Sequence, residues 1–181
     1  VPSGKWYFEC NCVTKGSGNY PAFGIGRTIV GNSNGDASGV ESGGIGYFPN
    51  GAVYKEGSSH STESSFGNGD TIGFAFDVDN LTVAIYKNNS LETTVTSLVA
   101  GEYFATMSGY YNSVAVINFG QDSSFAGNET AQGNTDGNGI GDFYYAPPSG
   151  FLALCSANLP EPTISPNADT QADDYFNTVL Y

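Results

Sequence analysis

Residues 134–142 place oxygen donors at alternate positions along a glycine-rich stretch, with Asn134, Asp136, Asn138 and Asp142 separated by small residues. Ca²⁺ asks for oxygen ligands so spaced, with glycine permitting the tight turn, and Asp136, Asn138 and Asp142 would supply the side chains. The first position holds Asn134 where Asp is usual, and no acidic residue follows at the distal position. A plain Asx/Gly turn accounts for the same residues without an ion. The expectation is therefore no cofactor, with Ca²⁺ the one candidate. Catalysis finds less support. His60 is the sole histidine, set in a Gly/Ser-rich loop without an obvious Ser or Cys partner, so no nucleophile–base pair can be assembled. Glycoside cleavage needs two carboxylates presented from one face, and no Glu-x-Asp-x-Glu alternation occurs. The chain is expected not to be an enzyme. The candidate binding residues are His60 and the adjacent Tyr110 and Tyr111, whose rings could stack on a sugar or a protein partner or equally cover a sheet edge.

The elements that must position these residues are strands. In residues 69–89, Ile72, Phe74 and Phe76 share one face of an extended segment. Leu81, Val83 and Ile85 do the same after the polar break Asp77-Val78-Asp79-Asn80. That is the period-two pattern of two half-buried antiparallel strands joined by a tight turn. Residues 3–13 alternate likewise, with Trp6, Phe8, Cys10 and Cys12 inward and Lys5, Tyr7, Glu9 and Asn11 outward. Further strands are expected over 22–27, 91–98, 103–108 and 114–119, with a hairpin over 46–56 turning at Pro49-Asn50-Gly51. Residues 29–44 and 57–66 read as polar loops, where binding function tends to sit. No window sustains helical apolar spacing.

Composition agrees and excludes several functions. Twenty-five glycines with only 13% charged residues suit many short strands and tight turns. A net charge of −13 argues against nucleic acid and anionic membrane surfaces, which want a basic patch. No apolar run approaches the roughly 18 residues needed to span a bilayer. Three cysteines cannot make a paired framework; Cys10, Cys12 and Cys155 read as small buried hydrophobes. The sequons at Asn80, Asn88 and Asn128 matter only in a eukaryotic secretory pathway. The chain opens at Val1 without Met and stops at Tyr181 within an apolar segment, so it is read as a piece of a longer protein.

Several motifs in order resemble SPRY domains. They are Ser3-Gly4-Lys5 with Tyr7 and Glu9, the glycine-rich strand of residues 22–27, and the hairpin Gly69-Asp70 to Phe76-Asp77-Val78-Asp79-Asn80. Tyr86-Lys87-Asn88-Asn89 and Asn118-Phe119-Gly120 complete the set. Asn89 stands where the family usually has Gly, and Asn tolerates the same left-handed turn. The resemblance covers residues 3–120. It implies an all-β, two-sheet antiparallel sandwich of the jelly-roll, concanavalin-like kind with a C-terminal extension. It also implies protein binding through loops at one end, without a cofactor. By position the candidate surface is residues 29–44, 57–66 and the Tyr110 to Ser113 turn.

Residues 143–162, with Pro147-Pro148-Ser149-Gly150-Phe151 and Asn158-Leu159-Pro160-Glu161-Pro162, resemble the ending of SPRY-like domains in bacteriophage and environmental viral structural proteins. On that resemblance the expected organisation is a sandwich over 1–159, a Pro-spaced linker over 160–172 and a C-terminal strand over 173–181. The strand, with Tyr175, Phe176, Val179 and Leu180, needs a pairing partner. Donation to a neighbouring copy would build an open filament; packing back on its own sheet is the plainer alternative. The expected function is a non-enzymatic virion or extracellular fibre structural protein, whose partners are copies of itself or other virion proteins. The rival is a receptor- or carbohydrate-binding module of a phage tail, meeting a host-surface protein or glycan.

Overall fold

A computed structural model describes residues 1–27 and 37–159. Within them the strands are β1 (Lys5–Thr14), β2 (Ala22–Gly26), β3 (Ile45–Tyr47), β4 (Ala52–Lys55), β5 (Ser58–Thr62), β6 (Thr71–Asp77), β7 (Thr82–Lys87), β8 (Ser90–Val95), β9 (Phe104–Ser108), β10 (Val114–Asn118) and β11 (Leu152–Ala153). They form two sheets. The first has the order β10-β1-β6-β7-β8, with β11 also on β1; the second has the order β5-β4-β3-β2-β9. All pairings are antiparallel except the two-residue β11, which runs parallel to β1 and joins Trp6 to Leu152 and Tyr7 to Ala153. The fold is the expected two-sheet, concanavalin-like sandwich.

Alternation builds the core. Register pairs Phe8 with Phe74 and Trp6 with Phe76 across β1 and β6, then Phe74 with Ile85 and Phe76 with Val83 across β6 and β7. The Phe8 and Phe74 rings stack at 5.1 Å, and Phe76 meets Phe8 edge-on at 6.2 Å. Phe23, Ile25, Ile45, Tyr47 and Val53 face them from the second sheet, so one apolar core fills the space between the layers. Cys10 and Cys12 lie in that core as free thiols, and Cys155 is half-buried and free. The β7–β8 connection is closed by Asn88 and Asn89, both at positive φ (48° and 67°), the left-handed geometry a two-residue hairpin requires.

Three expectations are corrected. Tyr7, Glu9 and Asn11 do not face solvent: all three are buried. The segment after β10 returns across the outer face of the first sheet. It packs Phe143 and Ala153 on Tyr7 and Ala75, so β1 has a core on both sides. Second, residues 58–62 are a strand, not a loop. β5 carries no inward apolar residue, and its backbone pairing with β4 alone selects it. Third, Leu81 belongs to the β6–β7 turn at φ 55°, and the strand begins at Thr82. Residues 29–36, the 160–172 linker and the 173–181 strand with Tyr175, Phe176, Val179 and Leu180 lie outside the described residues.

Candidate functional site

On the outer face of the second sheet, aromatic side chains gather where strand alternation would put polar ones. Val53 of β4 points into the core, so its neighbour Tyr54 points out, and Ala22 turns away from Phe23 in the same sense. Tyr54 meets Phe48 edge-on at 5.3 Å, Phe48 meets Tyr20 at 6.4 Å, and Tyr20 meets Tyr110 at 5.5 Å. Tyr111 extends the series, 4.6 Å from Tyr110. A groove of about 350 Å³ is lined by Tyr20, Phe48 and Tyr54 with Asn19, Ala37, Val40 and Asn50; Tyr110 and Tyr111 lie outside its lining. Tyr110 and Tyr111 are 57% and 62% exposed, unusual for large rings already in mutual contact.

Local chemistry holds this arrangement. The Tyr110 amide donates to Ser113 Oγ at 2.9 Å, and Tyr111 and Asn112 adopt positive φ to close the turn. Gly16 lets the preceding loop approach: a Cβ there would stand 2.3 Å from the Tyr111 carbonyl oxygen. Its own amide donates to the Tyr20 carbonyl at 3.1 Å, tying Tyr20 to the turn that carries Tyr110. Residues 37–40 are fixed by Ser38 N–H on Ser108 Oγ and Gly57 N–H on the Gly39 carbonyl, both at 2.8 Å. The rings and loops are thus preformed.

The other sequence candidates fall elsewhere. His60 is exposed on β5, unpaired at the bulge where Val53 opposes Ser61 and Tyr54 opposes Ser59, and does not line the groove. Asp136 is buried, and its carboxylate is occupied by four N–H donors. Asn138 and Ile140 amides reach Oδ1 at 2.8 and 2.9 Å, and the Ala153 amide and Asn158 Nδ2 reach Oδ2 at 2.8 and 2.7 Å. The Asn138 side chain turns to Asn158 at 2.9 Å, and the Asp142 carbonyl accepts from Asn118. Asp136 and Asn138 thus take part in a turn that anchors β11, while Asp142 Oδ1 is buried without a hydrogen-bond partner among the described residues. Among the described residues, no three His, Cys, Asp or Glu side chains gather as a metal site.

Glu9 is the most perturbed acid. Burial pushes its carboxyl up to about 7, against the pull of four donors. The Tyr145 and Tyr144 amides donate at 2.8 and 2.9 Å, Tyr7 Oη at 3.1 Å and Asn118 Nδ2 at 3.4 Å. The side chain is fully enclosed, so it clasps the C-terminal segment to β1 instead of presenting an acid to a ligand.

A comparison with protein-family models matches the SPRY domain over residues 5–122, well over half of the chain. The chain belongs to the SPRY domain family. Among solved structures, the SPRY domain of human HERC1 is similar with a TM-score of 0.54 at 23% identity, covering 65% of this chain and 76% of that one. That likeness speaks to fold alone. No curated protein matches the chain. SPRY domains generally mediate protein–protein interaction and are generally non-catalytic. In this SPRY domain, the sequence singled out Tyr110 and Tyr111 but not Tyr20, Phe48 and Tyr54, which the structure groups with them. The signal for Tyr54 was present: an aromatic at the outward position beside the inward Val53.

Proposed function

We propose that this SPRY domain is a non-enzymatic recognition module that seats a short protein segment in the Tyr20–Phe48–Tyr54 groove, with Tyr110 and Tyr111 as its exposed margin. The carrying observation is the continuous series of ring contacts from Tyr54 to Tyr111 beside a preformed concavity. Aromatic anchors in a pre-organised pocket are where interface energy concentrates. The net charge of −13 favours a ligand that carries Lys or Arg around an apolar anchor. The test is selection from a displayed random-peptide library, followed by titration of the selected peptides against Phe48→Ala and the Tyr110→Ala/Tyr111→Ala double variant. Loss of about tenfold or more in affinity is expected. Selected peptides that bind both variants as they bind the wild type would remove the groove from the function.

A finer setting, a virion or extracellular fibre subunit, has separate support: the resemblance of residues 143–162 to viral structural proteins. In that setting Tyr175, Phe176, Val179 and Leu180 add a strand to a neighbouring copy. Among the described residues β5, β8, β9 and β10 each have one free edge that could receive it. Electron microscopy of the full chain beside a version ending at Ala172 tests this. Filaments that vanish on truncation are expected; monodisperse particles in both samples exclude polymerisation through the terminal strand.

A further inference from the structure

A second concavity, of about 370 Å³, lies on the side of the first sheet. It is framed by Tyr144, Tyr145, Asn134 and Gln132 of the C-terminal segment and Asn89 of the β7–β8 turn. Its chemistry differs from that of the aromatic groove. The lining holds two phenols, three carboxamides and Ala146, with no ionised side chain.

The framework is fixed from below. The backbone amides of Tyr144 and Tyr145 are held by the enclosed Glu9 carboxylate. The two rings stand edge to face at 4.8 Å and 85°, and Phe125 backs Tyr144 at 5.9 Å. Asn134 pairs its backbone with Phe143 at 3.0 and 2.7 Å, and its Nδ2 donates to the carbonyls of Phe143 and Tyr144. Asn88 is anchored through the Thr71 amide and Asp70, which sets the neighbouring Asn89 at the rim. Among the described residues the Asn89 carboxamide, the Tyr144 and Tyr145 hydroxyls, Gln132 Oε1 and Asn134 Oδ1 have no hydrogen-bond partner. Rigid ring faces therefore stand beside uncommitted neutral donors and acceptors.

We propose that this pocket binds a neutral saccharide. A pyranose offers an apolar C–H face to a ring and vicinal hydroxyls to a carboxamide, which presents donor and acceptor side by side. The side chains of an apolar peptide segment would meet none of the free amides and phenols, whereas a pyranose presents hydroxyls around its whole rim. Anionic ligands meet an unfavourable field. Burial first, and then Tyr144 and the carboxylates of Glu9, Glu129 and Asp70, raise the Tyr145 phenol, and the whole chain is strongly negative. The pocket shares no lining residue with the aromatic groove, so variants can probe the two sites separately.

The full chain is probed on an array of neutral oligosaccharides and their sialylated counterparts, and the best neutral sugar is titrated by calorimetry. Retention of neutral glycans over sialylated ones is expected. Tyr145→Ala should weaken binding about tenfold and Asn89→Ala several-fold. Tyr145→Phe keeps the ring and the amide bond to Glu9 and should retain part of the affinity. The Tyr110→Ala/Tyr111→Ala double variant should bind sugar as the wild type does. If Tyr145→Ala fails to fold, Asn89→Ala on the exposed turn decides. No retained neutral glycan, a preference for sialylated ones, or an affinity unmoved by Asn89→Ala would overturn the proposal.

Discussion

Replacing Glu9 by Gln should change the pH dependence of stability more than stability itself. The carboxyl moves from an ordinary 4.5 to about 7 on folding because burial penalises its charge. At about 1.4 kcal/mol per pH unit, ionising it inside the fold costs roughly 3 kcal/mol. The folded state holds the proton more tightly than the unfolded chain. The stabilisation is therefore fully present below pH 4.5, is lost as pH rises towards about 7, and is absent above. The Glu9→Gln variant is neutral throughout and escapes this loss. It has its own cost: its NH₂ replaces one acceptor oxygen and faces the backbone amide of either Tyr144 or Tyr145. One unpaired buried donor costs about 1–3 kcal/mol. At pH 4.5 the variant should be less stable than wild type by that amount, and by pH 7.5 the gap should close or invert. Urea unfolding at several pH values, followed by the fluorescence of Trp6, reads the gap directly. Subtracting the two curves removes the other acidic residues, which titrate alike in both proteins. A gap that stays constant from pH 4.5 to 7.5 would show that Glu9 does not carry a raised proton affinity.

Asn118→Ala removes an acceptor for the Gly120, Gln121 and Asp122 amides and a donor to the Asp142 carbonyl. With the bond to Glu9 also lost, it should lower stability by roughly 2–4 kcal/mol in calorimetric unfolding; a change below about 0.5 kcal/mol would mean that water replaces all of these bonds. Gly46→Ala would set a Cβ 1.9 Å from the Ser38 carbonyl oxygen. A cost of at least about 1–3 kcal/mol is expected, together with weaker peptide binding, because Ser38 carries the segment that lines the groove. An unchanged melting temperature would refute that close approach.

The central hairpin was legible because each of its strands sends an alternating apolar set into the main core, Phe74 and Phe76 meeting Ile85 and Val83, although β6, expected to be half-buried, is buried on its other face as well. The same rule failed at Tyr7, Glu9 and Asn11. Alternation reports which residues face the inner layer. It carries no information about a segment more than a hundred residues away that covers the outer one. β5 was illegible because Ser58, Ser59, Ser61 and Thr62 give no apolar period, and only the neighbouring β4 backbone makes them a strand. Tyr110 and Tyr111 stood out as aromatics in a turn. Tyr20, Phe48 and Tyr54 look unremarkable one at a time, and sheet pairing alone brings loop, turn and strand to one surface. The turn around Asp136 could be anticipated from its Asx and Gly residues, but its partners at Ala153 and Asn158 are tertiary and leave no local signal.

The double-sided burial of β1 sets an order of events during synthesis. Glu9 meets Tyr144 and Tyr145 across 135 and 136 residues of chain. At ribosomal rates of about 5–20 residues per second, β1 emerges roughly seven to thirty seconds before the segment that covers it. The local meanders β3-β4-β5 and β6-β7-β8 can close in that interval, since their contacts span short stretches of chain. Of the strands of this sandwich, β1 is therefore the last to be enclosed on both faces. A nascent chain arrested before β11 exposes Tyr7 and Ala75 as an unsheltered apolar face, which makes that interval the point of greatest dependence on chaperones.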